Sequence, residues 1–352
     1  MGKVGSVCLI FVACLPAWAR AQQTTMPVVA QAAPISTDGR IKLDVVVPDQ
    51  AGKPVAGLSL SDFTVLDNGQ PARIVSFRAI SETLQPGPPP AEVILLIDTV
   101  NIKTTYVDRA REEIETFLRR DGGHLAQPVS VFLFTNEGVK VLLQPSRDGN
   151  ALAAQLDHFS GNLRSIGDAA AAWGAVERFQ TSVQALSIVA RSQIKRPDRK
   201  LLIWIGPGWP SLESVNIQST SKGQQQFFDW VVELSTRLRD ARTSVYSVSL
   251  GQPDASSYRY RDFLRGVKAA DRSSPGNLGL RVVAIQSGGR VLGPDNDLAA
   301  QIQSCVQDAS AFYRLTFDPP KADKPNEFHE LKVEIDKPDL IGWTITGYYN
   351  QP

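Results

Sequence analysis

VILLIDTVN, residues 93–101, decides the fold. An unbroken aliphatic run, Val93 to Ile97, ends in Asp98, and polar, turn-like residues follow at once. A short continuous apolar run bounded by turn residues reads as a strand buried on both faces. The carboxyl end of such a strand is where open α/β sheets collect ligand-binding groups, so Asp98 is a candidate site residue.

Working outward, strands and helices alternate from residue 91 onward. Val107, Ala110, Ile114, Phe117 and Leu118 recur at helical spacing. PVSVFLFT and GVKVLLQ are strands joined by NEG, a link short enough to make them an antiparallel hairpin. DAAAAWGAVERFQTSVQALSIVARS is a long helix, RKLLIWIG a strand, and Phe227, Val231, Leu234 and Leu238 mark the next helix. TSVYSVSL is a strand, and LRVVAIQSGGRVL a helix ending at Gly288-Gly289 with a short strand beyond. DLAAQIQSCVQDA is the last helix, with Asp295, Asn296 or Asp297 placed to cap it. This order predicts an α/β fold: a doubly wound, mostly parallel sheet with one antiparallel strand.

Two β segments flank that block. In IKLDVVV the apolar residues alternate, FTVL follows, and Asn68-Gly69 is a strong hairpin signal leading into ARIVSF. FYRLTFDP, FHELKVEID and GWTITGYY give matching β character at the other end. Each segment holds about forty residues, too few for a core of its own, so the two are expected to pack together as a small β-sandwich. The expected organisation is a signal peptide at 1–21, a disordered leader at 22–37, a β segment at 38–82, a proline-rich linker at 83–90, the α/β block at 91–311 and the second β segment at 312–352.

Composition narrows the function. The chain has 352 residues, 43% hydrophobic and 21% charged, with a formal charge of +1, so no nucleic-acid footprint is present. Lys3, the apolar run Val4 to Leu15 and the small residues Ala17, Ala19 and Ala21 read as a secretory signal cleaved after Ala19 or Ala21. The expected location is therefore periplasmic or secreted, with lipid anchoring at Cys14 the lesser alternative because Phe11 stands where such sites usually carry leucine. No later segment is apolar and long enough to span a bilayer. Cys8 and Cys14 lie in the signal, leaving Cys305 on a helix face as a core thiol. His124, His158 and His329 share no ligand spacing, no Gly-x-Ser-x-Gly elbow occurs, and Pro207 and Pro210 in GPGWP remove two N–H groups that a phosphate cradle would need. The chain is expected not to be an enzyme.

These residues carry a resemblance. DVVVPDQAGKPVAGLSLSDFTVLDNGQPARIVSF, VILLIDTVN, RKLLIWIGPG, SGGRVL and FYRLTFDPP with FHELKVEI and GYY, in that order, resemble the VWFA-related domain proteins of the Acidobacteria type, whose α/β block is a von Willebrand factor type A domain. The resemblance implies export and a Rossmann-like binding fold. It also implies where a cation would sit: in metal-binding type A domains the first strand ends in Asp-x-Ser-x-Ser, a second loop gives Thr and the loop after the fourth strand gives Asp. Asp98 matches the first position, but Val100 and Ile102 hold the serine positions and Ile205 falls near the second Asp. The second loop, GNLRSIGD, offers Ser165 and Asp168 without a matching Thr; Asn101, Thr104 and Thr105 are the oxygens available from shifted positions. The resemblance thus implies a degenerate site with Asp98 and Asn101 as remnants, no cofactor, and Mg²⁺ as the ion to test.

The expected function is an exported binding or adhesion-type module that holds a protein or cell-envelope partner through its carboxyl-edge loops. Trp209, Tyr258, Arg259, Tyr260 and Arg164 stand on those loops and are of the types that anchor protein interfaces. The alternatives are a cation-dependent adhesin with shifted metal ligands and an enzyme with an unrecognised site.

Overall fold

The computed structural model describes residues 39–81, 91–158, 174–212, 220–250 and 255–352. The signal, the leader, the proline-rich linker and the loop bearing Arg164, Ser165 and Asp168 lie outside the described residues. So do residues 213–219 and 251–254, which belong to two of the carboxyl-edge loops.

The first β segment forms β1 (Ile41–Val45), β2 (Phe63–Asp67), β3 (Gln70–Ala72) and β4 (Ile74–Ser81). The α/β block runs β5 (Ala91–Asp98), α1 (Val107–Leu118), β6 (His124–Thr135), β7 (Gly138–Asp148), α2 (Gly149–Asp157), α3 (Ala175–Gln193) and β8 (Arg199–Gly206). It continues with α4 (Ser221–Asp240), β9 (Thr243–Ser249), α5 (Leu280–Gln286), β10 (Val291–Leu292) and α6 (Leu298–Gln307). The tail adds β11 (Ala311–Phe317), β12 (Glu327–Ile335) and β13 (Gly347–Asn350).

The central sheet has the order β10-β9-β8-β5-β6-β7, parallel except for β7. Alternation along β5 splits its side chains between two cores. Val93, Leu95 and Ile97 pack with residues of α1, α2 and α6, whereas Ile94 and Leu96 pack with those of α3, α4 and α5. Helices therefore cover both faces, as an all-apolar strand requires. The strand order reverses between β5 and β8, which puts Asp98 at the topological switch point. Asp297 is the residue that caps α6, accepting from the Ala300 N–H at 2.7 Å.

The flanking segments interleave into two antiparallel sheets, β1-β11-β4 and β13-β12-β2-β3. Leu43, Val45, Phe63, Val65, Leu315 and Val333 meet in one shared core, so each sheet takes strands from both ends of the chain. Asn68 (φ 48°) and Gly69 (φ 78°) both take the left-handed conformation that the β2–β3 turn demands.

Two expectations need correction. ARIVSF is not one strand: the backbone breaks at Arg73, β3 stays beside β2, and β4 crosses to the other sheet against β11. Pro71, lacking an N–H, fits the short edge strand β3 and no interior position. GWTITGYY is regular only in β13. Before it, Trp343 bridges Val46 and Ile345 bridges Ser287, so this stretch stitches the β-sandwich to the α/β block. The SGG preceding β10 is explained by close approach: a Cβ on Gly289 would lie 1.9 Å from the Val245 carbonyl oxygen.

Candidate functional site

Asp98 is fully buried at the end of β5. Its Oδ1 accepts the backbone N–H groups of Val100 (3.0 Å) and Asn101 (2.9 Å), the local turn that a strand-end aspartate favours. Its Oδ2 accepts from Asn101 Nδ2 (2.8 Å) and from the indole Nε1 of Trp204 on β8 (2.8 Å). Burial pushes the Asp98 carboxyl above its ordinary value, against the pull of the Asn101 side chain, the two backbone groups and the indole. Asn101 Nδ2 also donates to Ser182 Oγ on α3 at 2.9 Å, and Ser182 Oγ donates to the Arg178 carbonyl.

Among the described residues, this environment offers a divalent cation few free oxygens, Asn101 Oδ1 being one that is buried without a hydrogen-bond partner. Both Asp98 oxygens face N–H donors, Val100 and Ile102 are buried aliphatic side chains, and Ile205 is fully buried. A hard cation needs oxygen ligands at these positions. Among the described residues, no group of three or more His, Cys, Asp or Glu side chains comes together as a metal site. Trp204 and Ser182 were not singled out in the sequence. Trp204 shares the parity of Leu202 on a strand paired with β5, so strand alternation alone places it on the Asp98 side once the register is known.

Beside this network the loops after β8 and β9 form a cleft with about 510 Å³ of empty space, open solvent included. Trp209, Pro210, Tyr260, Phe263 and Pro275 line it, with Arg281 from the start of α5. Two of the residues expected at a binding edge, Trp209 and Tyr260, thus meet in one place. Arg259 is exposed and lies 3.4 Å from Asp262, and it does not line the cleft. Arg164 and the side chain of Tyr258 are outside the described residues.

Trp209 is largely buried. It is 6% exposed, packed edge-on against Trp204 (5.2 Å between ring centres) and Phe179 (6.5 Å). The turn GPGWP folds the ring back over the sheet, with Gly208 at φ 98°. Its Nε1, also buried, has no hydrogen-bond partner among the described residues. Arg281 is likewise buried, donating from Nη2 to Ser249 Oγ at 3.3 Å, its guanidinium 5.9 Å from the centre of the Tyr260 ring. The short segment holding Tyr260 is a 3-10 helix, Ala255–Phe263.

No helix among the described residues is long and apolar enough to cross a membrane. No family model matches the chain, and no curated protein matches it in sequence. Among solved structures it is similar to the VWA domain of SpRpn10, at 11% identity over 60% of this chain and 93% of that one, with a TM-score of 0.29. It is similar to the manganese-loaded TRAP protein of Plasmodium vivax, at 7% identity over 79% of this chain and 98% of that one, with a TM-score of 0.34. It is also similar to the human COPII-coat protein Sec24c, at 12% identity over 75% of this chain, with a TM-score of 0.31; there it spans 44% of the other chain's length. These likenesses are remote, and no property of those proteins is carried to this chain. The chain has an α/β fold, a doubly wound, mostly parallel sheet set between two β segments that form a small sandwich.

Proposed function

We propose that the chain is an exported, non-enzymatic binding module of the VWFA-related kind. The block 91–311 presents the binding edge, and 38–82 with 312–352 form the domain that carries it. The partner is a protein or a component of the cell envelope, held at the carboxyl edge of the sheet without a metal ion. The observation that supports this most directly is the cleft lined by Trp209 and Tyr260 beside the Asp98–Trp204 hydrogen bond. A rigid sheet carries loops from distant parts of the chain there, and the carboxylate that a cation would use is already occupied by N–H donors.

Affinity capture from a native envelope fraction tests the reading. Capture is expected to survive EDTA and to weaken severalfold in Tyr260→Ala. Loss of capture in EDTA with recovery in Mg²⁺ would favour the cation-dependent adhesin instead. Export is tested separately by N-terminal sequencing of the mature protein: a start at Gln22 or Arg20 supports the signal, and a lipid on Cys14 supports anchoring.

A further inference from the structure

The loop between β9 and α5 carries Tyr260 on its 3-10 segment, and farther along it is held from the other end of the chain. Tyr349, on the last strand β13, donates its hydroxyl to the Val267 carbonyl at 2.9 Å, across 82 residues of sequence. Both residues are buried. Burial pushes the Tyr349 hydroxyl above the ordinary tyrosine value, so it stays protonated and able to donate. The Tyr349 ring packs edge-on against Phe328 of β12 (5.3 Å between ring centres) and Phe228 of α4 (6.0 Å). A Cβ on Gly266 would collide with the Phe328 ring, so the loop backbone lies against β12 only because residue 266 has no side chain. Gln286, the last residue of α5, repeats the link. Its carbonyl accepts the Thr346 N–H (3.2 Å), and its Nε2 donates to the Leu264 carbonyl (3.3 Å).

Val267 lies outside any helix or strand. A buried carbonyl with no helix or sheet ladder to satisfy it needs a donor from elsewhere, and Tyr349 supplies that donor. A loop ordered in advance by such bonds loses little further conformational entropy when a partner docks on it. The structure assigns Tyr349 as a positioning residue of the binding edge: the tail strand β13 holds the Val267 carbonyl and so sets where the Tyr260 segment sits. The second β segment is then a working part of the binding edge as well as half of the sandwich. This inference rests on the binding-module reading for its effect on the partner, and on the Tyr349–Val267 bond alone for its effect on the loop.

The test is hydrogen–deuterium exchange by mass spectrometry on the full chain, with the neighbouring tyrosine as the comparison. The Tyr348 hydroxyl is also buried, but it donates to Asp67 Oδ2 at 2.6 Å inside the sandwich. Tyr349→Phe removes one oxygen and keeps the ring. Peptides covering 259–272 are expected to exchange about tenfold faster in that variant. In Tyr348→Phe the same peptides are expected to keep the parent rate, and peptides from β5 and β8 to keep it in both variants. Partner capture from the envelope fraction is expected to fall severalfold in Tyr349→Phe and to stay at the parent level in Tyr348→Phe. Parent-rate exchange of 259–272 in Tyr349→Phe overturns the inference. So does an acceleration that Tyr348→Phe matches, because the bond would then act only on the stability of the sandwich. Faster exchange with capture intact keeps Tyr349 as the anchor of the loop and overturns the binding-edge reading instead.

Discussion

The indole N–H of Trp204 donates to Asp98 Oδ2 at 2.8 Å, across 106 residues of sequence. A neutral donor on β8 thus lies against the carboxylate at the switch point of the sheet. Trp204→Phe keeps an aromatic ring and leaves Oδ2 with one donor fewer. The expected loss is about 1–3 kcal/mol by urea unfolding, the usual cost of depriving a buried polar atom of its partner. A loss within experimental error would show that the bond contributes nothing.

The same contact predicts indifference to cations. A metal binding only the folded state adds about 2.7 kcal/mol at a hundredfold excess over its Kd, a rise easily seen in a melting curve. Millimolar Mg²⁺ or Mn²⁺ is expected to leave the melting temperature unchanged. A clear rise that Asp98→Ala abolishes would mean that shifted oxygens, such as those of Thr105, do hold an ion.

Trp209→Ala is expected to lower stability as well as partner binding. The ring is buried between Trp204 and Phe179, and truncating a buried aromatic side chain to alanine costs roughly 3–5 kcal/mol. Calorimetry should show a melting temperature several degrees lower, while Tyr260→Ala, at a half-buried position, should change it little.

Arg242 follows the end of α4 with φ at 52°, a conformation usually left to glycine. Its guanidinium makes a two-pronged pair with Asp44 of β1, with Nη2 at 2.5 Å and Nε at 3.1 Å from Oδ2, and so ties the α/β block to the sandwich. Burial works to raise the Asp44 pKa, but Arg242 and Arg314 outweigh it and hold the carboxyl below its ordinary value. Arg242→Ala loses the pair and keeps the backbone strain. Arg242→Gly loses the pair and relieves the strain, so it should be the milder variant by about 1 kcal/mol. Equal losses in urea titrations of the two would place all of the effect in the ion pair.

Lys200, at the start of β8, is buried and donates to the carbonyls of Ala241 and Arg196. Burial, with Arg242 and Arg196 nearby, drives its pKa down from 10.5 to about 8. Between those values the unfolded chain holds a proton that the folded chain has released. Its contribution to stability is therefore present above pH 10.5 and lost as pH falls through about 8. Compared with Lys200→Met, the parent should gain stability between pH 8 and 10, by up to about 1.4 kcal/mol per pH unit. Parallel slopes for the two proteins would remove Lys200 from the account.

Local pattern alone settled a good part of the fold. The aliphatic run into Asp98, the helical spacing from Val107 to Leu118 and the turn at Asn68-Gly69 each depend on neighbours within a few residues, where periodicity and backbone sterics act directly. The absence of serines at positions 100 and 102 was also legible, because residue type by itself excludes an oxygen ligand. Tertiary structure decided what replaced them. Trp204 reaches Asp98 because β8 lies beside β5 in a register that pairs Trp204 with Leu96, and the sequence does not print that register. Pairing across the chain likewise sent β4 to one sheet and β3 to the other, and turned Trp209 inward from a loop that composition describes only as a turn. Side-chain type and local spacing fix which groups are available for burial. Which of them meet is set by sheet register and helix packing, where the free energy comes from contacts between residues a hundred or more positions apart.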